Sequence, residues 1–323
     1  MRPESMATQS NMVGAGTEAL RHYSVSVVIP SYQRHEAVVR AVKSALDQTL
    51  PPIEVIVSND GPDSGKARLL AELGDDRVRF FEAPQRKSAS ATRNYGIRQA
   101  KGEWIALLDD DDIWLPGKLE AQFAALRRSG LSEAILAGVE VVHARGRRDH
   151  VRPARSVPLH TPVDEVLFCG YGGAPTSTLL APKWAFTKYP FDEQQERHED
   201  WSWMLKAGKE LELVMTPEET CERYLTQGDG LSRPGGYAFS RQWYEQHKAL
   251  MSAKARASFV SGILSRKAAY DKKIRALPWL IGELSKNTDL PDKNVIRLAT
   301  PWLVPNRARQ AIKAMKAPKT QQL

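Results

Sequence analysis

Four short apolar runs recur through the first third of the chain with helical patterns between them. This alternation restricts the fold more than any other feature. Val25-Ser26-Val27-Val28-Ile29-Pro30 is β-branched, stopped by proline, and reads as a buried strand. Between Gln33 and Gln48 the apolar residues Ala37, Val38, Ala41, Val42, Ala45 and Leu46 fall at helical spacing, and Pro51-Pro52 breaks the pattern. A second strand over Ile53–Asp60, a helix over Lys66–Leu73, a third strand over Val78–Phe81 and a helix over Ser88–Ala100 follow. The fourth strand, Glu103–Leu108, runs directly into Asp109-Asp110-Asp111-Asp112. Such alternation implies βαβ units and a parallel sheet. Ligands of open α/β sheets bind beyond the carboxyl ends of the strands. That rule sets Pro30 to Gln33, Asp60 and the four aspartates on one rim.

Consecutive aspartates at the end of a buried strand are electrostatically costly, because like charges a few ångströms apart raise one another's pKa unless a cation intervenes. Oxygen-only donors without sulfur or imidazole suit Mg²⁺ or Mn²⁺ completed by substrate phosphates. The competing reading is a solvated acidic turn that caps the next helix. Trp104 to Leu108 before the run and Ile113-Trp114-Leu115 after it wall it with apolar residues, which favours a metal site.

The rest of the chain is less regular. Ile135 to His143 reads as a strand, Ala144 to Val157 as a basic loop, Pro175 to Ala181 as another strand, and Glu199 to Gly208 as a helix. The 323 residues are 42% hydrophobic, enough for a sizeable core and against disorder. Cys169 and Cys221 form no Cys-x-x-Cys pair, so a disulfide scaffold and a cysteine zinc site are not expected. No apolar run reaches the roughly 20 residues that span a bilayer, and Met1 to Arg21 lacks a signal-peptide core. The expected location is cytoplasmic.

The net charge of +8 is unevenly placed: residues 233–323 hold 18 of the 46 Lys+Arg and only 5 of the 38 Asp+Glu. This divides the chain into a polar N-terminal tail (1–22), an α/β body (23–232) and a basic, mainly helical region (233–323). Trp279, Trp302 and Leu303 among Arg307, Arg309, Lys313 and Lys316 suit an interfacial helix on anionic lipid. A helical extension packed on the body, with a solvated basic face, explains the same pattern. No nucleic-acid motif accompanies the charge.

Val25 to Tyr32, Ser58-Asn59-Asp60-Gly61, Ala91-Thr92-Arg93-Asn94-Tyr95-Gly96 and Gly102 to Asp112 together resemble, in order and spacing, the family 2 glycosyltransferases of GT-A fold. The likeness is clearest from Ser24 to Trp114 and continues to about Ser232. It implies a Rossmann-like nucleotide-diphospho-sugar transferase domain of α/β class that inverts the sugar it moves. Pro30, Ser31 and Tyr32 would line the nucleoside pocket and Asp60 would read the nucleobase. Arg93 would face the donor, as would Asp109 and Asp110. The family's Asp-x-Asp maps onto Asp109-Asp110-Asp111, with Asp111 the direct ligand of Mn²⁺ or Mg²⁺ and Asp109 near the ribose or the metal; the extra acid at Asp110 leaves the register open by one position. Asp112 would cap the next helix or orient its neighbours.

The resemblance further maps the family's acceptor base onto Asp200, with Glu199 second, in His198-Glu199-Asp200-Trp201. Without it, an acidic pair opening a helix is explained by the helix dipole. His198 is expected to support the site rather than act as base, and Trp201 and Trp203 to pack or to stack on sugar. Arg223-Tyr224 and Gly228-Asp229-Gly230-Leu231-Ser232-Arg233 resemble a late loop that closes over the diphosphate, which Arg233 would reach, and Tyr171 to Pro175 would shape the acceptor side. The expected activity is metal-dependent transfer from a UDP-linked donor to a hydroxyl of a glycan or glycolipid, in cell-surface polysaccharide synthesis. Two rivals stand beside it: an Asp-nucleophile phosphohydrolase, whose motif lacks its usual Thr or Val here, and a non-catalytic membrane-associated adaptor.

Overall fold

The computed structural model describes residues 23–83, 88–144, 146–225, 236–287 and 293–304. Among these, one mixed sheet collects the strands β1 (Val25–Ser31), β2 (Glu54–Asn59), β3 (Val78–Glu82), β4 (Trp104–Leu107), β5 (Asp112–Trp114), β6 (Ile135–Ala144), β7 (Arg147–Arg152), β8 (Leu180–Pro182) and β9 (Leu213–Leu225). Their order is β3-β2-β1-β4-β8-β6-β9-β5, with β7 paired to β6. The pairs β1–β2, β1–β4 and β2–β3 are parallel. Beyond β4 the sheet turns mixed: β8 is antiparallel to β4 and β6, and β6 and β9 run parallel.

The strands β1 and β2 are buried along their whole length because helices cover both faces. Their side chains divide by the two-residue period of a strand. Val25, Val27, Ile29, Val55 and Val57 join one apolar cluster with α1 (His35–Leu46) and α4 (Lys118–Ser129). Val28 and Ile56 join the other, shared with α3 (Ala89–Gln99). The helix α2 (Ser64–Ala71) is capped by Asp63, whose side chain accepts from Lys66 N. Gly96 lets α3 lie close on the sheet, since a Cβ there would stand 2.7 Å from Val28 Cγ1 and 3.2 Å from Ser58 Cβ.

The second cluster extends through α5 (Val163–Phe168), α6 (Lys183–Lys188) and α7 (Glu199–Ala207) into the basic region. There α8 (Tyr237–His247), α9 (Ala253–Phe259), α10 (Ser265–Tyr270), α11 (Leu277–Ser285) and α12 (Lys293–Leu303) contribute Trp243, Tyr244, Phe259, Leu280 and Leu298 to the same core as Phe168 and Trp203. The described part of the basic region therefore packs on the body. Ile274, Ile281, Ile296 and Leu303 remain exposed.

Three local expectations are corrected. The basic loop contains β7, which pairs antiparallel with β6 from Arg147 to Arg152; apart from Val151 its side chains are polar, and most are exposed, so no alternation marks it. Thr176–Thr178 of the expected strand is a 3₁₀ turn, and β8 begins only at Leu180, because Pro175 O accepts from Thr178 N and coils the chain. Asp112 caps no helix: it opens β5, and α4 starts at Lys118 behind Gly117. No helix among the described residues is long and apolar enough to cross a membrane. The N-terminal tail, Arg233 and residues 305–323 lie outside the described residues.

Candidate active site

The carboxyl ends of β1, β2 and β4 meet on one rim, as parallel pairing in register requires. Pro30 and Ser31 lie opposite Ser58 and Asn59, and Asp60 N donates to Ser31 O at 2.8 Å. Ser31 is the hinge of a buried polar chain. Its Oγ donates to Asp110 Oδ2 at 2.8 Å and accepts from Lys66 Nζ at 2.8 Å, while Lys66 Nζ also donates to Asn59 Oδ1 at 2.6 Å. Burial pulls the Lys66 ammonium below its ordinary pKa, although Asp63 and Asp110 act to raise it. Tyr32 and Asp60 stand half-buried at the same end of the sheet.

After Leu108 the chain crosses from β4 to β5, and this crossing carries the four aspartates. Arg34 serves two of them. Asp109 accepts from Arg93 Nη2 at 2.6 Å, Asp110 from Arg34 Nη1 at 2.9 Å, and Asp111 lies 2.7 Å from the same Arg34 nitrogen. Asp112 is buried; Ser177 Oγ donates to its Oδ2 at 2.5 Å, and its Oδ1 has no hydrogen-bond partner among the described residues. Burial and then Asp109 hold the Asp112 carboxyl well above the usual range. The Asp111 carboxyl is likewise raised, by burial and then Asp109, against the pull of Arg34 and Arg223.

The ledge thus retains negative charge that its arginines do not fully answer. Among the described residues no three His, Cys, Asp or Glu side chains are arranged to hold a metal ion by themselves. Asp109 and Asp111, each about one third exposed at 32% and 34%, offer oxygen only. That donor set fits a hard divalent cation whose remaining ligands are phosphates and water.

The acidic pair of α7 joins the same site through Arg93. This arginine is buried on α3, and its fork spans from Asp109 to Glu199, whose Oε1 accepts from Nη1 at 3.1 Å. Burial alone would disfavour its charge, but Asp109 and Glu199 outweigh burial and raise its pKa. Asp200, next on the helix, accepts from its neighbour Trp201 N at 2.8 Å and from Thr176 Oγ1 at 3.3 Å. Burial and the adjacent Glu199 push its carboxyl up to about 6, against weaker opposing pulls from these hydrogen bonds and Arg93. The loop Tyr171 to Pro175 ends at Thr176; Gly172 and Gly173 adopt φ of 111° and 85° there, turns that favour glycine.

The N-terminus of α7 is braced by the basic region. His198 caps it with φ of 62°, stacks on Trp201 at 4.2 Å between centroids, and meets Ser240 Oγ through Nε2 at 3.1 Å. Burial, then Lys267 and Arg197, push His198 down to about 3, so its ring is neutral. Trp243 Nε1 donates to Ser202 Oγ at 2.8 Å. Trp201 and Trp203 both pack, Trp203 buried against Phe186 at 4.2 Å.

Sequence reasoning singled out the aspartates, Arg93, Glu199 and Asp200, and these converge. It missed Arg34, Lys66, Thr176, Ser177 and the brace of Ser240 and Trp243. Periodicity carries no mark of these residues, whose partners lie far along the chain. Arg223 lies opposite Asp112 across β5 and β9, and Asp112 is the first acid that raises its pKa, against burial.

Residues 26–169 match the model of "Glycosyl transferase family 2". An uncharacterized glycosyltransferase of Rickettsia bellii is 38% identical over 132 residues, 40% of this chain and 19% of its own. The amylovoran biosynthesis glycosyltransferase AmsB of Erwinia amylovora is 25% identical over 71% of this chain and 79% of its own. The UDP-Glc:alpha-D-GlcNAc-diphosphoundecaprenol beta-1,3-glucosyltransferase WfgD of Escherichia coli is 32% identical over 34% of this chain and 44% of its own. The matched region spans about a fifth of the length of the Rickettsia relatives. The crystal structure of S. aureus TarS 1-349 in complex with UDP-GlcNAc superposes with a TM-score of 0.59 at 15% identity, over 82% of this chain and 80% of that one. The α/β body therefore has the GT-A fold, and its residues 26–169 are similar to the glycosyl transferase family 2 model.

Proposed function

We propose that this chain is an inverting, metal-dependent glycosyltransferase that moves a sugar from a UDP-linked donor to a hydroxyl of a glycan or glycolipid in surface polysaccharide synthesis. One observation carries the reading: Arg93 ties the aspartate ledge to Glu199, beside Asp200, whose carboxyl sits near 6. A donor-holding edge and a base of suitable pKa then face a single site.

In this reading Pro30, Ser31, Tyr32 and Asp60 hold the nucleoside, while Asp109 and Asp110 lie along the ribose and diphosphate. Asp111, with Asp109, would hold Mn²⁺ or Mg²⁺, which supplies positive charge for the departing diphosphate. Asp200 takes the acceptor hydroxyl proton as the oxygen attacks the anomeric carbon. The bond from that carbon to UDP breaks with its electron pair on the diphosphate. Glu199 keeps Arg93 charged and in place. Arg233 is proposed to reach the diphosphate from the late loop.

The names of the Erwinia and Escherichia relatives support a polysaccharide or lipid-diphosphate-linked acceptor. An acceptor of that kind suits a peripheral position on the inner face of the membrane, with the basic region towards anionic lipid. The test is a thermal-shift screen of nucleotide sugars with Mn²⁺, followed by hydrolysis and transfer assays of wild type, Asp111→Ala and Asp200→Asn. A shift with UDP-sugars and turnover lost in both variants supports the reading. Binding without turnover by wild type favours the adaptor, and no binding at millimolar concentration removes the donor assignment.

A further inference from the structure

Arg34 stands at the turn between β1 and α1, directly after Gln33, whose φ of 55° bends the chain back over the rim. Its Nη1 lies 2.9 Å from Asp110 Oδ1 and 2.7 Å from Asp111 Oδ2. One nitrogen carries both contacts, so the guanidinium is wedged between two carboxylates instead of forked onto one. The side chain is 47% exposed. It borders a cavity of about 440 Å³ lined by Arg40, Asp111, Asp112, Ile113 and Tyr224 as well. Arg40 brings a second cation of α1 to that space.

We infer that Arg34 is an exchangeable counter-ion: it neutralises Asp110 and Asp111 while no divalent ion is bound, competes with that ion for Asp111, and once displaced pairs with the donor diphosphate. The inference rests on the metal-dependent reading above. Arg34 and Asp111 are 47% and 34% exposed, and ion pairs of that exposure are weak and readily exchanged, so this contact is the one suited to yielding. A freed guanidinium beside an open cavity can meet phosphate with bidentate geometry. By linkage, each of the two ligands should then favour the other through Arg34.

The test measures Mn²⁺ binding by electron paramagnetic resonance at constant ionic strength, with and without UDP, in wild type, Arg34→Ala and Arg34→Gln. Circular dichroism checks that the variants are folded, and Gln retains bulk and polarity if Ala does not fold. Without UDP, both variants should bind Mn²⁺ about 3- to 5-fold more tightly, the competition a half-exposed pair can exert. With UDP, the enhancement of UDP affinity by Mn²⁺ should fall about tenfold in both, as the bidentate contact is lost. Unchanged Mn²⁺ affinity, or an unchanged enhancement by Mn²⁺, overturns the inference while leaving the metal site standing. Absence of Mn²⁺ binding by wild type, with UDP and without it, overturns the metal-dependent reading and the inference with it.

Discussion

Replacing Asp200 by Asn should make the protein more stable and almost inactive. Burial beside Glu199 lifts this carboxyl from an ordinary 3.8 to about 6. At about 1.4 kcal/mol per pKa unit the ionised form is disfavoured by about 3 kcal/mol, and sharing with Glu199 reduces the recoverable part to about 2 kcal/mol. Asparagine keeps the local hydrogen bonds: its carbonyl accepts from Trp201 N–H, and its amide donates to the Thr176 hydroxyl oxygen. Between about pH 4 and 6 the folded chain holds a proton that the unfolded chain has released. Unfolding free energy from this group therefore falls as pH rises through that window. Urea unfolding should show Asp200→Asn stabilised by about 2 kcal/mol at pH 7 and scarcely at all at pH 4. Turnover should drop by about 10²–10⁴, the usual contribution of a general base. A variant no more stable than wild type at pH 7, or equally stabilised at both pH values, refutes the electrostatic argument. Retained turnover refutes the assignment of the base.

Other perturbations probe different parts of the site. Arg93→Lys keeps the charge, but one ammonium cannot span Asp109 and Glu199; urea unfolding should register a loss of about 2–4 kcal/mol, with the acidic limb of the pH–rate profile moved upward as the cation settles on Asp109, farther from Asp200. Asp111→Ala should abolish the dependence of turnover on Mn²⁺ concentration, read from metal titrations of donor hydrolysis, while leaving the melting temperature within a few degrees. Trp243→Leu removes the donor to Ser202 and the packing behind His198 and should cost about 2–4 kcal/mol by denaturant titration, with kcat lowered more than KM. Gly96→Ala forces a methyl group against Val28 and should lower stability by about 1–3 kcal/mol in the same experiment.

The parallel half of the sheet was legible because both its faces are covered: strands such as Val25–Ile29 become unbroken apolar runs, and the helices between them keep a 3.6-residue stripe. The mixed half was not. The strand β7 consists of Arg147 to Arg152, mostly exposed, and β5 is three residues hidden at the end of an acidic run. In β9 the exposed stretch Pro217–Glu219 separates the buried Leu213–Val214 from the buried Thr220–Cys221 and masks the strand. The acidic members of the site were legible from their sequence context. Their basic and hydroxyl partners were not, since Arg34 reaches Asp110 across 76 residues and Ser177 reaches Asp112 across 65. The basic region stayed open in the sequence between an interfacial helix and an extension packed on the body, because its charge marks only the surface; in the described residues its tryptophans and Phe259 complete the core behind α7.

Anomalous diffraction at the manganese edge, from crystals grown with Mn²⁺ and UDP, tests the central claim most directly. The account predicts one peak bonded to the Asp111 carboxylate, bridging to the diphosphate, with the uracil near Asp60. Diphosphate bound away from residues 109–111, or a peak that touches none of these aspartates, would contradict it.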